Sequence, residues 1–116
     1  MAAGARMIYK LVSAAEWSDA ELTQVFVGSA ADRRDGFIHL STGSQVRGTA
    51  ARHFAGQDDL RLVVVSPAAL DIRWEPSRDG ALFPHLYGPL PLAAVRAVHV
   101  LRLDEAGVHG FPAGLE

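Results

Sequence analysis

At 116 residues and 12.4 kDa, with 49% hydrophobic and 21% charged residues, the chain has the composition of one ordinary globular domain, which excludes collagenous, low-complexity and disordered classes. It contains no cysteine, so disulfides, iron–sulfur clusters, thiolate zinc sites and cysteine nucleophiles are excluded together, and the cytoplasm is the default compartment. A net charge of −2 and a pI of about 6.2 leave no basic footprint for duplex nucleic acid, and no apolar run is long enough to cross a membrane.

Residues 1–6 lack the basic and apolar regions of a secretory signal and read as a short flexible extension. A single globular body is expected over 7–103 and a surface tail over 104–116. Met7-Ile-Tyr-Lys-Leu-Val12 alternates apolar residues and predicts a first strand. Ser13 and Glu16 have capping-box spacing and open a short helix carrying Trp17. Residues 21–36 show no clear period and close in an Asp35-Gly36 turn. Phe37-Ile-His-Leu40 is a short strand, and Thr42 with Gln45 has capping-box spacing for a helix to about Phe54, whose Val46, Ala50 and Phe54 face the core. Leu60 to Ser66 is the clearest strand, and Asp71 to Glu75 another, ended by Pro76 and an Asp79-Gly80 turn. Leu82 to Tyr87 is interrupted by Pro84 and is expected at an edge or irregular. Pro91 to Val95 suits one helical turn, and Arg96 to Leu103 a final strand.

The helices thus fall in the first half and the second half is mostly strand. Repeated βαβ units would predict a parallel sheet; this order predicts an α+β domain with helices packed on a largely antiparallel sheet system.

The common catalytic signatures are missing. Lys10 is the only lysine, no Gly-Lys-Ser/Thr phosphate loop occurs, no Gly-x-Gly-x-x-Gly follows a strand, and neither Gly-x-Ser-x-Gly nor His-Glu-x-x-His is present. Polar residues on strands remain. The two-residue period places Phe37 and His39 opposite Ile38 and Leu40, Phe83, His85 and Tyr87 opposite Leu82 and Leu86, and Arg73 and Glu75 opposite Ile72 and Trp74. If each strand turns its aliphatic face to the core, His39, Arg73, Glu75, His85 and Tyr87 line one aromatic-walled cleft. Imidazole, guanidinium, carboxylate and phenol together can bind an anionic or ribose-bearing ligand and move a proton. Ser41 and Thr42 follow at a helix N-terminus, where free N–H groups favour an anion. Plainer roles stand beside these: His39 and His85 as partly buried or backbone-fixing residues, Ser41 and Thr42 as caps, Arg73 and Glu75 as an exposed pair. His53 and His99 read as structural and His109 is assigned no role. The histidine spacing matches no metal pattern, so no metal is expected.

Gly28-Ser29, Asp32, Asp35-Gly-Phe-Ile-His-Leu-Ser-Thr42 and Gln45 resemble the signature of the bacterial domain of unknown function 952 family, as do Ile8-Tyr-Lys10, Trp17, Arg73-Trp-Glu75, Phe83-Pro-His-Leu-Tyr-Gly88, Leu90-Pro91 and Val95. The resemblance spans about residues 7–103. It implies a fold like that of ADP-ribosyltransferases, in which two small, mostly antiparallel sheets pack at an angle around a NAD-binding cleft. It also implies His39 and Ser41 on the ribose and carboxamide of the nicotinamide side and Tyr87 or Tyr9 stacked on the nicotinamide; in an enzyme of that kind Arg73 is expected to face phosphate and His85 or Glu75 to serve as the acid–base group. The catalytic candidates are then His39, Glu75 and His85, and the ligand-binding ones Ser41, Thr42, Arg73 and Tyr87. The transferring enzymes of that superfamily carry a late-strand glutamate, whereas residues 96–103 contain no carboxylate and Glu75 precedes His85 and Tyr87. A charge missing where positive charge develops is commonly worth a few kcal/mol. This departure favours a glutamate-free transfer resting on Arg and His, or a cleft that only binds, over classical mono-ADP-ribosylation. The expectation is an ADP-ribosyltransferase-like enzyme using NAD or a related nucleotide. The alternatives are a non-catalytic nucleotide or metabolite module and a structural or protein-interaction domain, with no protein partner indicated.

Overall fold

The computed structural model describes residues 6–115, so the extension expected over residues 1–6 lies, Arg6 apart, outside them. The alternation after Met7 becomes β1 (Ile8–Ser13). Ser13 ends it and opens α1 (Ala14–Thr23): its hydroxyl accepts from the Glu16 N–H at 3.1 Å, and the Glu16 carboxylate accepts from the Ser13 N–H at 3.0 Å. After β2 (Val25–Phe26), a second capping box, Ser29 with Asp32, opens α2 (Ala30–Asp35). Gly36 closes α2 in the left-handed region at φ 87°, a conformation that suits glycine. β3 (Ile38–His39), α3 (Val46–His53), β4 (Leu60–Val65), β5 (Ile72–Pro76), β6 (Leu82–Leu86), β7 (Leu90–Pro91) and β8 (Val95–Leu101) follow.

These strands form two three-stranded sheets, β1-β4-β8 and β3-β6-β5, and a two-residue β2–β7 ladder, all antiparallel. The expected α+β domain is thereby observed, with its helices in the first half. One face of the first sheet joins Ile8, Val12, Val63 and Val65 to Trp17, Phe26, Ile38, Leu40, Leu86 and Leu90. The other joins Tyr9, Leu11, Leu60, Leu62 and Leu101 to Val46 and Ala50 of α3. Burying one such large side chain contributes roughly 1.5–3 kcal/mol. β4 is covered on both faces, which is why it reads as an almost unbroken apolar run.

The two larger sheets are tied by a backbone exchange. The Tyr9 N–H donates to Ser41 O at 2.8 Å and the Ser41 N–H to Tyr9 O at 2.9 Å. In an antiparallel ladder both polar groups of a residue point to one edge, and the edge alternates along the strand. Tyr9 faces Ser41, so Lys10 and Val12 bond β4, and Leu11 faces the same outer edge as Tyr9. Beyond this exchange the sheets part and a cleft opens.

Several boundaries differ from the sequence pattern. The helix expected from Thr42 begins at Val46 with Gln45 as an N-cap that no side chain satisfies. Gln45 Oε1 does accept from the Thr42 N–H at 3.0 Å, but the Thr42 hydroxyl meets Ser44 Oγ at 3.1 Å, and a turn intervenes before the helix. The Leu82–Leu86 strand is not an edge but the centre of its sheet. Pro84 is tolerated because it lies one residue past the end of the two-residue β3. Its carbonyl accepts from the Leu40 N–H at 3.1 Å, and its missing N–H removes only the last rung. Pro91 pairs in β7 and precedes a single 3₁₀ turn, Leu92–Ala94. The last strand stops at Leu101, and Leu103 forms an isolated bridge to His109. The segment after it does not trail: Phe111 and Leu115 pack on the second cluster, and His109 is buried with its Nε2–H donating to Gln57 O at 2.6 Å.

Candidate functional site

The first half of the site is built by β1, α2 and β3. Asp32, the third residue of α2, completes the Ser29 capping box and is buried. Its Oδ2 accepts from the Ser29 N–H at 2.9 Å and lies 2.9 Å from Lys10 Nζ. Its Oδ1 accepts from Lys10 Nζ at 3.0 Å, the His39 N–H at 3.0 Å and His39 Nδ1 at 2.6 Å. A carboxylate only accepts, so Nδ1 carries a proton. Lys10 Nζ also donates to His39 O at 3.0 Å, tying β1 to β3. Burial pushes the Asp32 carboxyl up, but the His39 ring, the Lys10 ammonium and the two backbone N–H groups outweigh it and hold it well below the usual carboxylate range. Burial lowers the Lys10 ammonium from its ordinary value, with Asp32 opposing. The other imidazole nitrogen, Nε2, lies 2.9 Å from Asp35 Oδ2. Asp35 Oδ1 accepts from Arg34 Nε at 3.2 Å, and this bond, assisted by the His39 ring, keeps the Asp35 carboxyl below its usual range.

The second half stands on β5 and β6. His85 is directly opposite His39 in the ladder, with ring centroids 5.7 Å apart. His85 Nδ1–H donates to Glu75 Oε1 at 2.7 Å, and the Tyr87 hydroxyl donates to the same oxygen at 2.9 Å. These bonds, that from His85 foremost, hold the Glu75 carboxyl below its usual range, and the Glu75 contact pushes the Tyr87 phenol up. Phe37 stacks on His85 at 4.1 Å and touches the His39 and Tyr87 rings at 4.6 and 5.3 Å. The Arg73 guanidinium lies over the Tyr87 ring at 4.4 Å and pairs with Asp71. Among the described residues no fully buried side-chain nitrogen or oxygen lacks a partner; Glu75 takes His85 Nδ1, which leaves Nε2 as the ring nitrogen for the cleft that His85 lines.

The cleft measures about 600 Å³, within the range of small-molecule sites. Tyr9, Lys10 and Leu11 line it consecutively, as a strand does at its edge and not on a face. Leu11 therefore presents its N–H and C=O there without a rung from any described strand. Of the sequence-predicted residues, His39, His85 and Ser41 line the cavity. Glu75, Tyr87 and Arg73 share the sheet face but hold or flank His85. Ser41 is buried, with its hydroxyl meeting Thr49 Oγ1 at 2.9 Å. Thr42 stands outside the lining, and Arg73 and Glu75 turn to separate partners instead of to each other. His53 and Tyr9 also line the cavity. Pattern reading missed Lys10, Asp32 and Asp35 as site residues. The signal for Lys10 is a lone lysine centred in an apolar strand; Asp32 and Asp35 lie within the six-residue α2, which is too short to show a period. Among the described residues, no three acidic or histidine side chains converge as a metal-binding group.

The chain is similar in fold and sequence to protein CC0527 from Caulobacter crescentus. The crystal structure of that protein matches with a TM-score of 0.84 and 49% identity, over 90% of this chain and 93% of that one. Its solution NMR structure matches with a TM-score of 0.80 and 50% identity, over 88% and 90%. No functionally curated protein matches. The family model described as "Protein of unknown function (DUF952)" matches residues 11–98, and the chain belongs to that family.

Proposed function

We propose that the cleft binds NAD or a related nucleotide and that the protein is an ADP-ribosyltransferase-like enzyme. The observation that carries the reading is the pair of imidazoles at the cleft wall, each held through Nδ1 by its own carboxylate, side by side on paired strands. That arrangement orients both rings: His85 keeps Nε2 for acid–base chemistry, while His39 Nε2 meets Asp35. His85 takes or gives the proton through Nε2, and Glu75 orients its ring. His39 holds the ligand, with Asp32 and Lys10 fixing its ring. The open Leu11 edge offers one donor and one acceptor, the complement of a carboxamide. Arg73 and Tyr87 flank the second imidazole as ligand-binding groups. A second reading, a module that binds without turnover, is favoured by one observation: Glu75 is already engaged by both His85 and Tyr87, and β8 adds no carboxylate.

The test is titration of the protein with NAD and ADP-ribose followed by amide NMR, with a dispersed His39→Ala spectrum as the folding control. Localised shifts at residues 39–42 and 83–88 that vanish in His39→Ala are expected. Absence of shifts at millimolar ligand would remove the nucleotide. Nicotinamide release by the wild type but not by His85→Asn separates the enzyme from the binding module.

A further inference from the structure

His39 is gripped by two carboxylates of opposite character. Asp32 is 2% exposed and anchored by Lys10 and by the Ser29 and His39 N–H groups, so its hold on Nδ1 is permanent. The Asp35 side chain is 36% exposed, ends α2, and precedes Gly36, which has open space around it. Its two oxygens take two different donors: Oδ2 meets His39 Nε2 at 2.9 Å and Oδ1 meets Arg34 Nε at 3.2 Å. This is the geometry of an anion held between an imidazole and a guanidinium, and all three side chains line the cleft. An acidic residue at the last position of a helix faces the negative end of its dipole. Local helix energetics therefore oppose a carboxylate here, and its cationic contacts compensate.

We propose that Asp35 stands in for an anionic group of the ligand. His39 Nε2 and Arg34 form an anion subsite at the cleft, occupied by the chain's own carboxylate until a phosphate or diphosphate oxygen displaces it. Asp35 then swings to solvent and regains its water, while His39 and Arg34 donate to the incoming oxygens; no covalent bond changes. Arg34 suits a phosphate because its guanidinium can present two donors at once. That the anion arrives on a nucleotide rests on the function proposed above; the subsite itself does not.

Asp35→Ala removes the stand-in and leaves the Ser29–Asp32 cap and the Asp32–His39 bond in place. Wild type and Asp35→Ala are titrated with inorganic pyrophosphate and with ADP-ribose, reading the His39 imidazole nitrogens by NMR. Pyrophosphate is expected to bind the variant about tenfold tighter than wild type, the gain of one uncontested charge-assisted contact. It should shift His39 Nε2 and lose the gain when Arg34→Ala is added. Equal affinity in the two proteins, or binding that leaves His39 unmoved, overturns the subsite. Tighter pyrophosphate binding with no ADP-ribose binding to either protein sustains the subsite and sinks the nucleotide. ADP-ribose binding equally to both, with shifts at residues 39–42 and 83–88, does the reverse.

Discussion

Asp32 serves three elements with one side chain: it caps α2, neutralises Lys10 on β1 and orients His39 on β3. Asp32→Ala strands the Lys10 ammonium in the interior, and losing one partner of a buried pair costs about 3–5 kcal/mol. A urea midpoint equal to wild type would contradict this. Lys10→Met with Asp32→Asn removes both charges at similar volume and is expected to recover much of that loss. His39 then lacks its ionic holder, so ADP-ribose affinity stays low while stability returns. The pH dependence has a definite sign. The Asp32 carboxyl is lower in the folded protein than its unfolded value of about 4, so its contribution is complete above that pH and is lost as pH falls through the acid range. Urea-derived stability should therefore drop below about pH 4, and drop less in the double variant. Lys10 is legible in the sequence as the only lysine and as a charge centred in an apolar strand. Asp32 is not, because a six-residue helix is too short to show a period and aspartate lies outside the Ser-x-x-Glu/Gln capping pattern.

At the scale of elements, α2 and its entry turn decide whether His39 is held. Gly28 adopts φ +108°, and a Cβ built there would lie 2.9 Å from Asp32 Cβ. Gly28→Ala combines backbone strain with a collision at the site's anchor and is expected to destabilise by about 1–3 kcal/mol, with a shift in the His39 ring resonances. Ser29→Ala, which removes only the hydroxyl cap, should cost about 1 kcal/mol by urea melting. A ring shift as large in Ser29→Ala as in Gly28→Ala would remove the steric explanation. The same scale shows where pattern reading holds and where it fails. The Ser13 box is legible because its helix follows at once. Thr42 misleads because its hydroxyl meets Ser44 and the chain makes a turn before Val46. The faces of β3, β5 and β6 follow from the two-residue period, so the grouping of His39, His85, Glu75 and Tyr87 on one sheet face is readable once the strands are paired. The pairing is not, because a proline argues for an edge and only the shortness of β3 cancels that argument.

For the whole molecule, the cleft lies where two sheets diverge from the Tyr9–Ser41 exchange, so a ligand there touches both. Binding to the folded state alone should raise unfolding free energy by about 2.7 kcal/mol at a hundredfold excess over Kd. ADP-ribose that left the urea transition of wild type unmoved at saturating concentration would contradict such a site. The α+β class is legible because the α-helices cluster before residue 54 and five of the eight named strands follow it. The strand order is not, since β1, β4 and β8 find one another across long stretches of chain and nothing local to them names a neighbour.

That order has a consequence for synthesis. β4 is the middle strand, and its neighbours come from opposite ends of the body. As the chain emerges from the ribosome, β1 and β4 can pair before β8 has left the exit tunnel. The far edge of β4, flanked by apolar side chains on both faces, then stands open to any other strand until Val95 and the residues after it arrive. A substitution that weakens β8 therefore prolongs the time for which that edge stays open, and aggregation of the newly made chain rises with it.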